Sequence, residues 1–204
     1  MIARRQRRGD EFAATRLGTE RGIRQISLTD LAAAVDMHKS ALLRYFETRE
    51  QIFLRLTATG WQDWSAALLA GTSALSPEDP PAALAAVFTD TLTARPLFCD
   101  LLAQAPLNLE RNVSTEQVRA FKLVTHAEVT TIVAELRRLR PQLTDLEAVD
   151  VIATATSMAG ALWQMATPAP EVMELYRSDP ELRLAIFDVA ARLTRILTAL
   201  IDGY

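Results

Sequence analysis

Residues 27–46, SLTDLAAAVDMHKSALLRYF, hold two short amphipathic segments on either side of a tight polar break. Ser27 is placed to cap a helix opening at Leu28, and Asp30 stands three residues on, where a capping-box acid sits near the positive helix end. Leu28, Leu31, Ala32 and Val35 then follow the helical period and make one apolar stripe. Asp36 comes where the chain must turn, and Asp tolerates left-handed backbone angles better than most residues. A second helix starts near His38. It is expected to bury Ala41, Leu42 and Phe46 and to turn Lys39, Ser40, Leu43, Arg44 and Tyr45 outward. Two stripes that each need a partner, joined by a turn, describe a helix-turn-helix whose second helix fits a DNA major groove.

With these residues in view, the chain resembles the TetR family of bacterial transcriptional regulators over about its first quarter. Glu20-Arg21-Gly22 matches the end of that family's first helix, SLTDLAAAV its second, and LLRYFETREQIF the recognition helix running into the fourth. The aromatic pair Tyr45-Phe46 followed by Thr48-Arg49-Glu50 makes the match specific. The resemblance implies an all-α fold, with an N-terminal three-helix DNA-binding domain and a larger C-terminal helical domain for ligand binding and dimerisation. It also implies DNA contacts by position. Ser27 and Thr29 fall at the start of the second helix, Lys39, Ser40 and Ala41 at base edges beside His38, and Leu43, Tyr45 and Arg49 at phosphates. Within the motif the sequence departs from the family at three places. Asp36 replaces the usual turn glycine, Ala41 a common threonine, and Leu43 a phosphate-binding tyrosine, so Lys39, Ser40 and Arg44 carry more of the readout. The first helix holds Asp10, Glu11, Thr15 and Gly18 at positions usually apolar. That leaves Ala13, Ala14 and Leu17, with Phe12 from another face, to hold it loosely.

Charge follows the same division. The 204-residue chain has 22 Lys plus Arg against 25 Asp plus Glu, yet residues 1–60 carry 11 basic and 7 acidic residues and the remainder 11 and 18. Arg4, Arg5, Arg7 and Arg8 form a basic arm suited to phosphates or a minor groove, the alternative being a solubilising tail. Length suggests two domains, divided as residues 1–50 for the arm and DNA-binding head and 51–204 for the effector-binding and dimerising body. The arginine-rich start lacks the apolar core of a signal peptide and no apolar run spans a membrane. The expectation is a cytoplasmic protein without a membrane partner. Cys99, His38 and His126 have no metal-ligand spacing, and no cofactor is implied.

Beyond the motif the pattern is helical throughout. Thr48 caps a long fourth helix with Gln51 at the capping-box position. Ser76 to Pro81 is a linker, a fifth helix runs to about Ala94, and Pro96 opens a sixth. After a broken stretch from Pro106 to Asn112, Ser114 caps a seventh helix ended by Pro141. The eighth runs from about Thr144 to Met165, a short one lies near Val172 to Tyr176, and the last spans roughly Glu181 to Ile201. Ala155, Ala159 and Leu162 on the eighth helix, with Val189, Leu193, Ile196, Leu197 and Leu200 on the last, make a surface suited to a homodimer or to the chain's own core. Trp61, Trp64, Phe88, Leu92, Phe98, Phe121 and Trp163, interrupted by Thr91 and Thr125, supply volume for an apolar or aromatic effector, with ordinary core packing as the competing reading.

The partners read from this pattern are a double-stranded DNA operator, a second copy of the chain and a small-molecule effector. Catalysis finds no nucleophile and base, carboxylate pair or Glu-x-x-His set to support it. The remaining alternatives are a helical protein-interaction adaptor and a DNA-binding regulator that needs no ligand. Fold alone does not decide between them.

Overall fold

Helix boundaries along this chain are set by short polar caps. In the computed structural model, which describes residues 13–204, Ser27 Oγ accepts from Asp30 N at 3.2 Å while Asp30 Oδ2 accepts from Ser27 N at 2.7 Å, a closed capping box. Thr144 and Glu147 repeat the device. The expectations placed on Arg4, Arg5, Arg7, Arg8, Asp10, Glu11 and Phe12 lie outside the described residues.

A first helix, α1, covers residues 13–21 of the described chain. A 3-10 turn at Ile23–Gln25 leads to α2 (Leu28–Ala34) and α3 (Lys39–Leu42). The body follows as α4 (Arg49–Thr72), α5 (Pro81–Thr93), α6 (Pro96–Gln104), α7 (Thr115–Leu139), α8 (Asp145–Ala166), α9 (Pro170–Ser178) and α10 (Val189–Asp202). Among the described residues there is no strand. The fold is all-α, a small helix-turn-helix head on a larger helical body. No helix among them is long and apolar enough to cross a membrane.

Helix α4 starts against the head and runs through the body, where it packs on α7, α5 and α6. Helix α8 lies against α6 and α10, and α10 covers α5. The close approach of α6 and α8 depends on Gly160, because a Cβ there would stand 2.8 Å from the backbone nitrogen of Ala103. The core is continuous from head to body. It runs from Ala14, Leu17, Leu31, Leu42 and Phe46 through Trp64 and Phe88 to Ile132, Leu136 and Leu197. Ala13, Ala14 and Leu17 do carry the packing of α1, as expected.

Three expectations are corrected here. Gln51 does not close a capping box at Thr48; its Oε1 reaches one residue further and accepts from Glu47 N at 2.6 Å, while Thr48 Oγ1 still caps Gln51 N. The expected last helix is broken. Pro180–Ala185 is a 3-10 segment, and Asp188 caps a separate start by accepting from Ala191 N at 2.9 Å. The carboxylate offers the backbone a competing partner just where continuity would have required ordinary helical bonding. Finally, Ala155, Ala159, Leu162, Leu193 and Leu197 are covered by the chain's own helices. They are core, and of the expected dimer residues only Val189, Ile196 and Leu200 keep partial exposure. Small residues drew α8 against α6 and α10 of the same chain, so its outward face is a different stripe: Leu146, Val149, Ala153, Ser157, Ala161 and Met165.

Candidate nucleic-acid interface

The turn between α2 and α3 takes the form its sequence suggested. Asp36 has φ 53°, Asp36 N donates to Ala33 O at 3.2 Å, and Met37 N donates to Ala32 O at 2.9 Å. This pair of reversed bonds is the Schellman pattern, with Asp in the left-handed position that glycine usually takes. It ends α2 and re-aims the chain. Leu42 and Phe46 then anchor α3 in the head core, and Ala41 is half-buried beside them. Regular α-helix covers only Lys39–Leu42. The chain continues as tighter turns, with Arg44 N to Ala41 O at 3.2 Å and Tyr45 N to Leu42 O at 3.0 Å.

The outward face carries His38, Lys39, Ser40, Leu43 and Arg44, all exposed, with Ser27 and Thr29 exposed at the start of α2. Leu43 is 44% exposed, a large apolar side chain held toward solvent on a polar face. Tyr45 is half-buried and packs on the core with its ring. Thr29, Lys39, Ser40 and Arg44, each expected to meet a duplex, are thus all exposed.

Arg49 is placed differently. Its guanidinium donates to the carbonyls of Ile23 and Ile26, pairs with Glu50 at 2.9 Å, and lies 4.8 Å from the Phe53 ring centre. An arginine expected to reach a phosphate instead ties the first turn of α4 to the loop before α2. Its rigid fork suits two convergent carbonyls as well as it suits an anion.

Head and body are joined by contacts that sequence spacing did not reveal. Gly22, φ 75°, closes α1 and leads Ile23 N to Asp100 Oδ2 at 2.8 Å. Asp100 Oδ1 accepts from Gln164 Nε2 at 2.7 Å, so one buried carboxylate bridges the head, α6 and α8. Elsewhere along the junction Glu47 accepts from Ser114 N and Ser114 Oγ, and Thr48 Oγ1 donates to Asn112 O. A buried Asp within an apolar helix was the only sequence signal for the first bridge. Nothing local marked the second.

Most of the expected effector residues do not enclose open space. Trp61, Trp64, Phe88 and Phe98 pack on one another with ring centres 5.4–6.1 Å apart, mostly edge to face. Leu92 is fully buried with them, and Thr91 Oγ1 accepts from Trp64 Nε1 at 3.1 Å. Buried rings satisfied this way are core, which corrects their assignment to a pocket. Phe121 and the half-buried Thr125 lie on α7, Phe121 lining a groove of about 240 Å³ against α4. Trp163 lines a larger cleft of about 670 Å³ at the junction of head and body. Burial pushes the Cys99 thiol up to about 12, so it offers no thiolate. Among the described residues no cluster of His, Cys, Asp or Glu could hold a metal ion.

Comparison with known proteins agrees with this geometry. The family model described as bacterial regulatory proteins, tetR family, matches residues 13–56, and the tetracyclin repressor-like C-terminal domain model matches residues 58–204. A possible TetR family regulator from Streptomyces coelicolor A3(2) superposes with a TM-score of 0.63 at 17% identity, covering 97% of both chains. The fatty acid degradation regulator FadR from Bacillus halodurans gives 0.61 at 15% identity over 97% of this chain and 95% of that one. FadR from Thermus thermophilus, a repressor solved with lauroyl-CoA, gives 0.61 at 18% identity over 97% and 94%. A search of curated proteins found no match.

Proposed function

Because the chain belongs to the tetR family of bacterial regulatory proteins, and so is a DNA-binding transcription regulator and not an enzyme, we propose that it is a repressor that binds a palindromic operator as a homodimer and is released by a small apolar or aromatic effector. The observation that carries the reading is the exposed face of α3, where Lys39, Ser40 and Arg44 stand outward on a head fixed by Leu42 and Phe46. Lys39 and Ser40 read base edges with Ala41 and Leu43 available to thymine methyls. Thr29, Ser27, Tyr45 and the basic arm of Arg4, Arg5, Arg7 and Arg8 hold phosphates. Residues 1–50 do this work in the cytoplasm, and 51–204 serve partner and effector.

Dimerisation supports symmetric binding, since two recognition helices must lie one DNA turn apart. The outward stripe of α8, with Leu146 70% and Met165 57% exposed around Ala153 and Ala161, supports a close helix-to-helix contact joined by Ile196 and Leu200 of α10. Helix α4 begins at the head and crosses the body, so a ligand that shifts it changes the separation of the reading heads. Effector and DNA must then weaken each other by the same factor. The complex of the Thermus thermophilus neighbour with lauroyl-CoA supports effector control.

The test is selection of duplexes from a random pool by the full chain at defined salt. Recovery of a two-fold symmetric site is the expected result. Asymmetric sites, or retention independent of salt, would favour the adaptor reading.

A further inference from the structure

We propose that the cleft between head and body is an effector site for an amphipathic organic anion, a carboxylate, sulfonate or phosphate carried on a planar or apolar body. The inference deepens the regulator reading and rests on it. The cleft measures about 670 Å³, within the range of small-molecule sites. The aromatic core of the body is filled by its own rings, whereas this space stays open where α1, α6, α8 and α9 meet.

Its walls define the ligand. Trp163, half-buried, and Leu97 offer a flat and an aliphatic surface, and prolines 96, 168 and 170 extend the apolar side. Arg21 and Arg24, both exposed, supply positive charge from the head. Among the described residues Arg21 is held by a 3.9 Å approach to Asp30, a contact that a better anion displaces. Asp100 is the one carboxylate in the lining among the described residues, and its oxygens accept from Ile23 N and Gln164 Nε2. One carboxylate against two exposed guanidinium groups leaves the wall positive, which favours an anion.

The position gives the ligand leverage. A molecule held by Arg21 and Arg24 on one side and by Trp163 on the other spans head and body directly across the Asp100 bridge. Its occupancy fixes the head's orientation and thereby changes DNA affinity.

The experiment uses the full-length protein without DNA and two dyes that share a ring system. One is 8-anilinonaphthalene-1-sulfonate, the other the uncharged N-phenyl-1-naphthylamine. The anionic dye is expected to bind saturably, one per chain. Arg21→Gln with Arg24→Gln should weaken it about tenfold or more while leaving the neutral dye within about twofold. Trp163→Leu should weaken both dyes. Equal losses for the two dyes in the arginine variant, or no loss for either, overturn the anion assignment. Adding the anionic dye to the complex with a selected operator then reads the coupling, and unchanged DNA affinity at saturation overturns the effector role. Dye binding that follows the arginines in a protein that selects no duplex would uphold the cleft and defeat the regulator reading. Operator binding with dye that ignores the arginines defeats the cleft alone.

Discussion

Replacement of Arg49 separates a structural tie from a phosphate contact. Two guanidinium nitrogens donate to the carbonyls of Ile23 and Ile26, and the side chain is 20% exposed. Hydrogen bonds from a charged donor contribute about 1.5–3 kcal/mol each when buried. Partial exposure and the loss of only one side of each pair reduce this, and stacking on Phe53 adds about 0.5–1 kcal/mol. Arg49→Ala should therefore destabilise the protein by about 2–3 kcal/mol, which at roughly 2–4 °C per kcal/mol lowers Tm by about 5–10 °C. Arg49→Lys is the sharper probe. Lysine keeps the charge that a phosphate needs but cannot bridge two carbonyls, so most of the destabilisation should remain while the salt slope of DNA binding stays as in the parent. Thermal melts and DNA titrations at several salt concentrations, run below the lowest Tm, read both quantities. Unchanged stability in Arg49→Ala, with a salt slope reduced by about one, would refute the tie and restore the phosphate role.

Ser40→Ala or Lys39→Ala, both at exposed positions, should leave stability within about 0.5 kcal/mol of the parent and relax base preference in the selected site. Leu43→Tyr should tighten operator binding by at most roughly 1.5–3 kcal/mol if a phosphate lies within reach, or lower preference at one base pair if Leu43 meets a thymine methyl; no effect on either quantity would place Leu43 outside the interface. Ala153→Arg, on the outward stripe of α8, should convert the proposed dimer to monomer in sedimentation at micromolar concentration and abolish symmetric-site binding without lowering helicity, and an intact dimer would move the interface elsewhere. Stability should fall in acid. Bonds from the Ser27 side chain hold the Asp30 carboxyl below its ordinary 3.8, and Arg138 and Thr144 do the same for Glu135 and Glu147 below 4.5. These contributions are complete above those ordinary values and are lost as pH falls through the depressed ones, so denaturation midpoints should be level above about pH 5 and decline below about 4. A midpoint independent of pH down to 3 would contradict that.

Local chemistry determined much of this molecule. Ser27 and Asp30, Thr144 and Glu147, and the left-handed Asp36 act within a few residues of themselves, so the caps and the turn of the helix-turn-helix are written in the sequence and recur in the structure. Period alone also placed Leu42 and Phe46 inside and Lys39, Ser40 and Arg44 outside. Tertiary structure decided which partner each apolar or charged surface takes. The small residues of α8 could pack on a second chain or on α6 and α10. The backbone approach at Gly160 gave Ala155 and Ala159 to the chain's own core. The tryptophans and phenylalanines could line a pocket or fill it, and their mutual packing filled it. Arg49 could serve a phosphate or two carbonyls, and Asp100 gave no sign of the residues, 77 and 64 positions away, that it joins. Periodicity states that a face must be covered. What covers it depends on the relative placement of helices distant in sequence, which no local pattern encodes.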